Sequence, residues 1–292
     1  MKKMLVIAII CIFIGGVLCG VAYAAGEKYV EAQLTDISKS FISENINKIS
    51  INDYVAEIKL IKYGGENKEI SVQAQNIIEN EYKCEMINDT MKISYNPTMV
   101  KFGFISLPTG IFNWRNKTPV INIYIPENKK FDEVNFGGGV GKIQTDEINA
   151  QVMILAGGVG EYDINNISVG RLDINGGVGN IKINGEVNGD FKIDGGVGEI
   201  KIDAIINGNA KIDSGVGNIK IYGQINGNIK LKTGVGNTVL DLSGNAGDYN
   251  IKADKGVGNI RLNGNKIENV QNNGKYNIDI DAGVGDININ IK

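Results

Sequence analysis

The chain of 292 residues is long enough for one large domain or two modest ones. Its 30 Lys and Arg against 33 Asp and Glu leave a formal charge of −3, and no segment is basic enough to suit nucleic acid. Histidine is absent, which removes the commonest general base, the commonest metal ligand, and nucleophile systems of the Ser-His or Cys-His kind.

Residues 1–25 read as an N-terminal membrane anchor or signal peptide. Lys2 and Lys3 precede an uncharged, mostly apolar run from Met4 to Ala25. As a helix this run would be about 33 Å long, enough for a bilayer core of about 30 Å. Ala22-Tyr23-Ala24 also matches a signal-peptidase site, so release after Ala24 is the alternative to an uncleaved anchor. Either way the basic end stays inside and the remainder is exported. The expectation is a single pass through the cell membrane, by residues 4–25, with the rest outside. Cys11 and Cys19 lie in this run and Cys84 stands alone beyond it, so no intrachain disulfide framework is available.

Residues 26–48 read as a linker or short amphipathic helix, because Val30, Leu34, Ile37 and Phe41 recur at helical spacing. Residues 49–135 read as an irregular β-region. Its strands include Val55–Tyr63, Glu69–Ala74, Thr90–Tyr95 and Val120–Ile125, and it is expected to cap strand edges otherwise left open. Between Pro97 and Pro119 lie Phe102, Phe104, Phe112, Trp114 and Arg115. Aromatic and Arg side chains in a long loop suit a partner-binding hot spot; the alternative is a lid folded onto the end of the domain.

Residues 136–292 carry Gly-Val-Gly eight times, centred on Val140, Val159, Val178, Val197, Val216, Val235, Val257 and Val284. The first six are 19 residues apart, followed by steps of 22 and 27. A fixed period of this size marks a repeat architecture. Around each valine, the positions six and four before it and three and five after it are mostly aliphatic, as in Phe191, Ile193, Ile200 and Ile202 around Val197. Polar residues separate them, so each copy supplies two half-buried strands on either side of a glycine corner. One copy cannot bury its apolar face alone, but stacked copies can. The fold expected is all-β: a β-solenoid of about eight 19-residue coils, with the corner valines re-aimed into the interior by their flanking glycines. The last strand, Asp286–Lys292, is expected at an uncapped edge. A sandwich of hairpins is the competing arrangement.

The glycine motif is not a phosphate loop, because it recurs eight times with no strand–loop–helix context. It also departs from the calcium-binding nonapeptide, since Ile181, Ile200 and Ile219 stand where that motif needs aspartate. Weak calcium binding at Asp194, Asp213, Asp254 or Asp281 stays open at this point. Lys182, Lys201 and Lys220 form one outward row, and Lys192, Lys211, Lys230 and Lys252 another. Asp194, Asp213 and Asp254 stand two residues after members of the second row, so a solvated mixed face is expected rather than a basic strip. Carboxylates recur with the coils, whereas a catalytic pair would stand out from the repeat. The chain is therefore expected to be no enzyme, to need no cofactor and to hold no dedicated metal; a carbohydrate-active β-helix enzyme is the least favoured alternative.

The segments Gly176–Ile183, Gly195–Ile202 and Gly215–Ile221, with the lead-in Ile121-Asn122-Ile123-Tyr124-Ile125-Pro126, resemble the bacterial "putative adhesin" family, itself similar to auto-transporter adhesin head domains. Phe131-Asp132-Glu133-Val134, Asn259-Ile260 and Asp286-Ile287 extend the match, which covers most of residues 45–292. The resemblance implies an envelope-facing β-solenoid and carries over no catalytic residues. The function expected is a membrane-tethered, extracytoplasmic binding or scaffold module for a cell-envelope polymer or membrane protein partner. An accessory regulator of an envelope-stress system is the alternative.

Overall fold

A computed structural model describes residues 34–65, 68–97, 99–102, 105–108, 117–254, 256–270 and 273–292. The expected membrane segment, residues 4–25, lies outside the described residues, among which no helix is long and apolar enough to cross a membrane.

Alternating apolar residues pair across successive copies, residue on equivalent residue. Val140 pairs in parallel with Val159, Val159 with Val178, and Ile181 with Ile200. On the far side of each coil Leu172 pairs with Phe191, Phe191 with Ala210 and Ala210 with Ile229. A third set runs between them through Val169, Val187, Ile206 and Ile225. Like side chains thus meet in columns along a shared interior. Of the four apolar columns visible in the sequence every member is buried except Leu262, which is half-buried. Full burial of each large aliphatic chain is worth roughly 1.5–3 kcal/mol, so the stack gains what a lone coil could not. The hairpin sandwich would have made these pairings antiparallel.

The stack extends further toward the N-terminus than the glycine signature does. The long strand Lys48–Tyr63 lies parallel to Val140–Thr145, with Val55 opposite Val140 and Ala56 opposite Gly141. Tyr54-Val55-Ala56 is therefore one more corner. In it the Tyr54 ring occupies the space against Gly139, where an added Cβ would lie 2.4 Å from the ring. Residues on both sides of position 135 belong to one sheet and one core.

Both ends of the stack are closed by antiparallel strands. At the N-terminal end Leu34–Ile42 pairs with Glu69–Ile78, which pairs with Val120–Pro126, and Tyr82–Ile87 pairs with Thr90–Tyr95. The linker or amphipathic helix expected across residues 26–48 is corrected for its described part: Leu34–Ile42 is a strand, followed by one short 3-10 turn, Ser43–Asn45. Ile37 and Phe41 fit helical spacing, yet they also alternate around Lys39 on one face of a strand. Both pack on the core, and the exposed edge of Glu69–Ile78 supplies backbone partners that tip the choice.

At the other end the expected uncapped final strand is also corrected. Ile287–Ile291 lies inside the stack, between Thr238–Leu242 and Ile260–Leu262. Tyr276–Asp281 lies likewise between Ile229–Lys232 and Tyr249–Asp254. The outer strands are then covered by two-residue antiparallel strands, Asn265–Lys266 and Asn269–Val270. Such short, twisted edges are poor templates for further pairing.

Candidate functional site: an outward valine ridge

The corner valines do not point inward. Val159, Val178 and Val216 are each 53 % exposed, and Val257 is 71 % exposed. The expectation of inward valines fails because of how the flanking glycines are used. The glycine after each valine has φ between +138° and +151°, as at Gly179 (+141°) and Gly160 (+151°). This left-handed turn bends the chain so that the valine stays on the convex side. At Gly179 a Cβ would fall 1.7 Å from the carbonyl oxygen of Gly160 in the preceding coil. Glycine is therefore required by close backbone stacking.

The valines still stack. Val178 bridges to Val197, Val197 to Val216, Val216 to Val235, and both Val235 and Val257 to Val284. With Val140 and Val159 below them they form one continuous outward row. Coils are about 4.8 Å apart, so the row is about 34 Å long. Isolated exposed apolar residues need no explanation, but a contiguous strip marks a contact surface.

A polar row two residues further on holds the stack together. The Asn218 Oδ1 accepts the Asn237 backbone N–H at 2.9 Å, and the Asn237 Oδ1 accepts that of Asp286 at 2.9 Å. The Asp286 carboxylate in turn accepts the Asn259 N–H at 2.9 Å and pairs with Arg261 at 3.0 Å. These contacts hold the Asp286 carboxyl below the usual range, the Asn259 amide contributing most. A second ladder joins Asp190, Asn209, Asn228 and Asn277 in the same manner.

The charged rows neutralise one another. Lys182 pairs with Asp163 at 3.4 Å, Lys220 with Glu199 at 3.1 Å, and Lys192 with Asp194 in its own strand. Exposed pairs of this kind contribute little to stability. Their effect is to replace a basic strip with a mixed, solvated face. In the core, burial raises the phenols of Tyr54 and Tyr82 and the thiol of Cys84. Among the described residues no group of three or more Cys, Asp or Glu side chains could hold a metal ion.

Of the residues singled out in the Pro97–Pro119 loop, Phe102 ends the strand Met99–Phe102, which forms a separate antiparallel pair with Ile105–Pro108. Phe104, Phe112, Trp114 and Arg115 lie outside the described residues. The valine row is in plain view as a motif, but alternation alone does not decide its face: Ile200 and Ile202 lie at odd offsets after Val197, whereas Ile193 and Phe191 lie at even offsets before it.

The fold is shared with a solved structure. A "putative adhesin" from Bacteroides fragilis is similar at 17 % identity and a TM-score of 0.53, covering 88 % of this chain and 98 % of its own. A "putative cell adhesion protein" from Clostridium sporogenes is 22 % identical, with a TM-score of 0.30 and coverage of 89 % and 100 %. No curated protein matches. The Toastrack DUF4097 model matches residues 46–290, most of the chain, and the protein therefore belongs to that family.

Proposed function

We propose that the protein is a non-catalytic binding and scaffold module of the bacterial cell envelope, tethered to the membrane by residues 4–25 with its β-domain outside. The observation that carries this reading is the valine ridge: a stiff, regular, solvent-facing apolar strip on an otherwise polar stack. Rigid presentation lowers the ordering cost of binding, because little conformational freedom is lost on contact. The repeat also offers the same contact at each coil, so an extended polymer or membrane protein partner can engage several coils at once. The aromatic loop holding Phe102, Phe104, Phe112, Trp114 and Arg115 supplies a second candidate contact by composition.

The test is fractionation and protease treatment of intact cells making the full chain, followed by crosslinked capture from their membranes. The chain is expected in the membrane fraction, cleaved by external protease, and captured with an envelope polymer that it does not degrade. Capture of a membrane kinase or transporter instead would favour an accessory regulator. A cytoplasmic location, or polysaccharide turnover lost on one Asp→Asn change, would overturn the proposal.

A further inference from the structure

The outward valine row is kept constant where its neighbours vary. Two residues further on, the adjacent outward row changes through Lys142, Glu161, Asn180 and Asp286. At the corner where the glycines are replaced, Tyr54-Val55-Ala56, the valine remains and stacks on Val140. Backbone geometry explains the glycines but not the valine, since any residue can occupy an extended, solvent-facing site. The side chain itself is therefore what the row retains, and about half of each one is left in water.

We propose that this ridge is a self-association surface, so that within the scaffold reading above the occupant of the ridge is a second copy and an envelope partner is met by other faces of the paired stacks. Two copies of the chain lie side by side with their stacks parallel, each valine ridge seated along the glycine track beside its partner's ridge. Three features on the molecule select a second copy. The first is period. A body that meets every valine must repeat at the spacing of a parallel β-stack, about 4.8 Å, and a second copy does so throughout its length.

The second is shape. On the N-terminal side of seven of the eight valines lie two small residues, as in Gly176-Gly177, Gly195-Gly196 and Ser214-Gly215, the exception being Lys255-Gly256 before Val257. Ridge and track therefore run parallel over all the coils but one. A twofold axis along the stack carries ridge onto track and track onto ridge together, giving the self-complementary contact that a closed dimer needs. An axis across the stack would set ridge against ridge.

The third is direction. The same axis keeps equal coils at equal height and both Leu34–Ile42 strands at one end, as two chains entering from one membrane require. This last feature rests on the proposed anchor; period and shape do not. The flanking charges oppose the contact little, because Lys192–Asp194 and Lys220–Glu199 are already paired within each copy. A strip about 34 Å long and four residues wide buries about 900 Å² in total, at the weak end for a specific interface. Confinement to a membrane raises the effective concentration enough to make such a contact count.

The test places single cysteines at Val140, Val197 or Val284 in the full-length chain in membranes, with Cys11→Ser and Cys19→Ser as background, and adds a short bis-maleimide. Crosslinked dimer is expected at all three positions and not at Lys201→Cys, which lies on a different outward row. Adding Val178→Asp and Val216→Asp should abolish the crosslink at Val284→Cys while leaving the thermal midpoint unchanged, showing that the surface and not the fold was lost. Crosslinking at the central position alone would mean antiparallel ridges and would overturn the arrangement. Absence of crosslinking at every position would overturn self-association, leaving the ridge to another partner and the envelope-binding proposal intact.

Discussion

Val284 stacks directly on Val235, although Val257 comes between them in the chain, and Val257 lies on the outer side of Val284. The coil that carries Val284 thus lies between two that precede it in the chain. Strands Tyr276–Asp281 and Ile287–Ile291 provide the parallel partners that hold Tyr249–Asp254 and Ile260–Leu262 to the stack. Deleting residues 273–292 should therefore release more than the deleted coil. Amide hydrogen exchange is expected to show protection lost across 249–262 while 159–225 stays protected. Retained protection at 249–262 would show that these strands can close onto Thr238–Leu242 unaided.

The corner glycines should be intolerant of any side chain. Gly179 and Gly198 have φ of +141° and +143°, and a Cβ would approach the preceding coil's carbonyl oxygen to 1.7 Å and 2.0 Å. Gly179→Ala or Gly198→Ala is expected to cost about 1 kcal/mol or more. Gly244→Ala is the comparison, because Gly244 has φ +146° but nothing within 4 Å of an added Cβ. Chemical denaturation should rank both corner variants below Gly244→Ala. Equal midpoints would remove backbone stacking as the reason for glycine.

The asparagine ladder predicts a smaller effect with a distinct chemical signature. Asn218→Ala deletes the acceptor of the Asn237 N–H, and the net value of such a bond is about 0.5–1.5 kcal/mol. Asn218→Asp keeps the acceptor and should recover most of the loss. A denaturation series on the two variants decides this: equal destabilisation by both would mean that the bond contributes nothing.

Stability should be nearly level across the neutral range and fall at both extremes. No histidine titrates between them. Asp286 is held below the usual carboxyl range, so its contribution is present above the ordinary value and lost as pH falls below about 4. Tyr54, Tyr82, Tyr95 and Tyr249 are raised, chiefly by burial. Their contribution is present below the ordinary phenol value and is lost as pH climbs past about 10, where the unfolded chain sheds protons that the folded chain retains. Thermal midpoints against pH should show this alkaline fall, and Tyr82→Phe should lessen it. A midpoint that is flat to pH 11 would argue against buried phenols as its source.

Much of the core was readable before the structure because a stacked repeat writes its interior into columns. Phe191, Ile193, Ile200 and Ile202 identify themselves by recurring at 19 residues. The column through Val187, Ile206 and Ile225 has the same spacing but closes the strand after each corner, past the positions three and five after the valine where the alternation is plain. At Asn166, with φ +49°, the register shifts between Ile164 and Ile167, which breaks that column's period in the preceding coil. The outward ridge was misassigned because a glycine-flanked corner can send its central side chain either way, and composition alone does not choose.

The amino-acid sequence by itself determined the all-β character, the 19-residue coil and most of the inward columns, because local alternation and repetition are properties of the chain. Only the tertiary structure decided which way the corner valines face, that Tyr54-Val55-Ala56 adds a corner without glycine, and that the final coil lies between two earlier ones. Those outcomes depend on which backbone edge is free to pair and on how closely neighbouring coils approach, and both are settled between segments far apart in the chain.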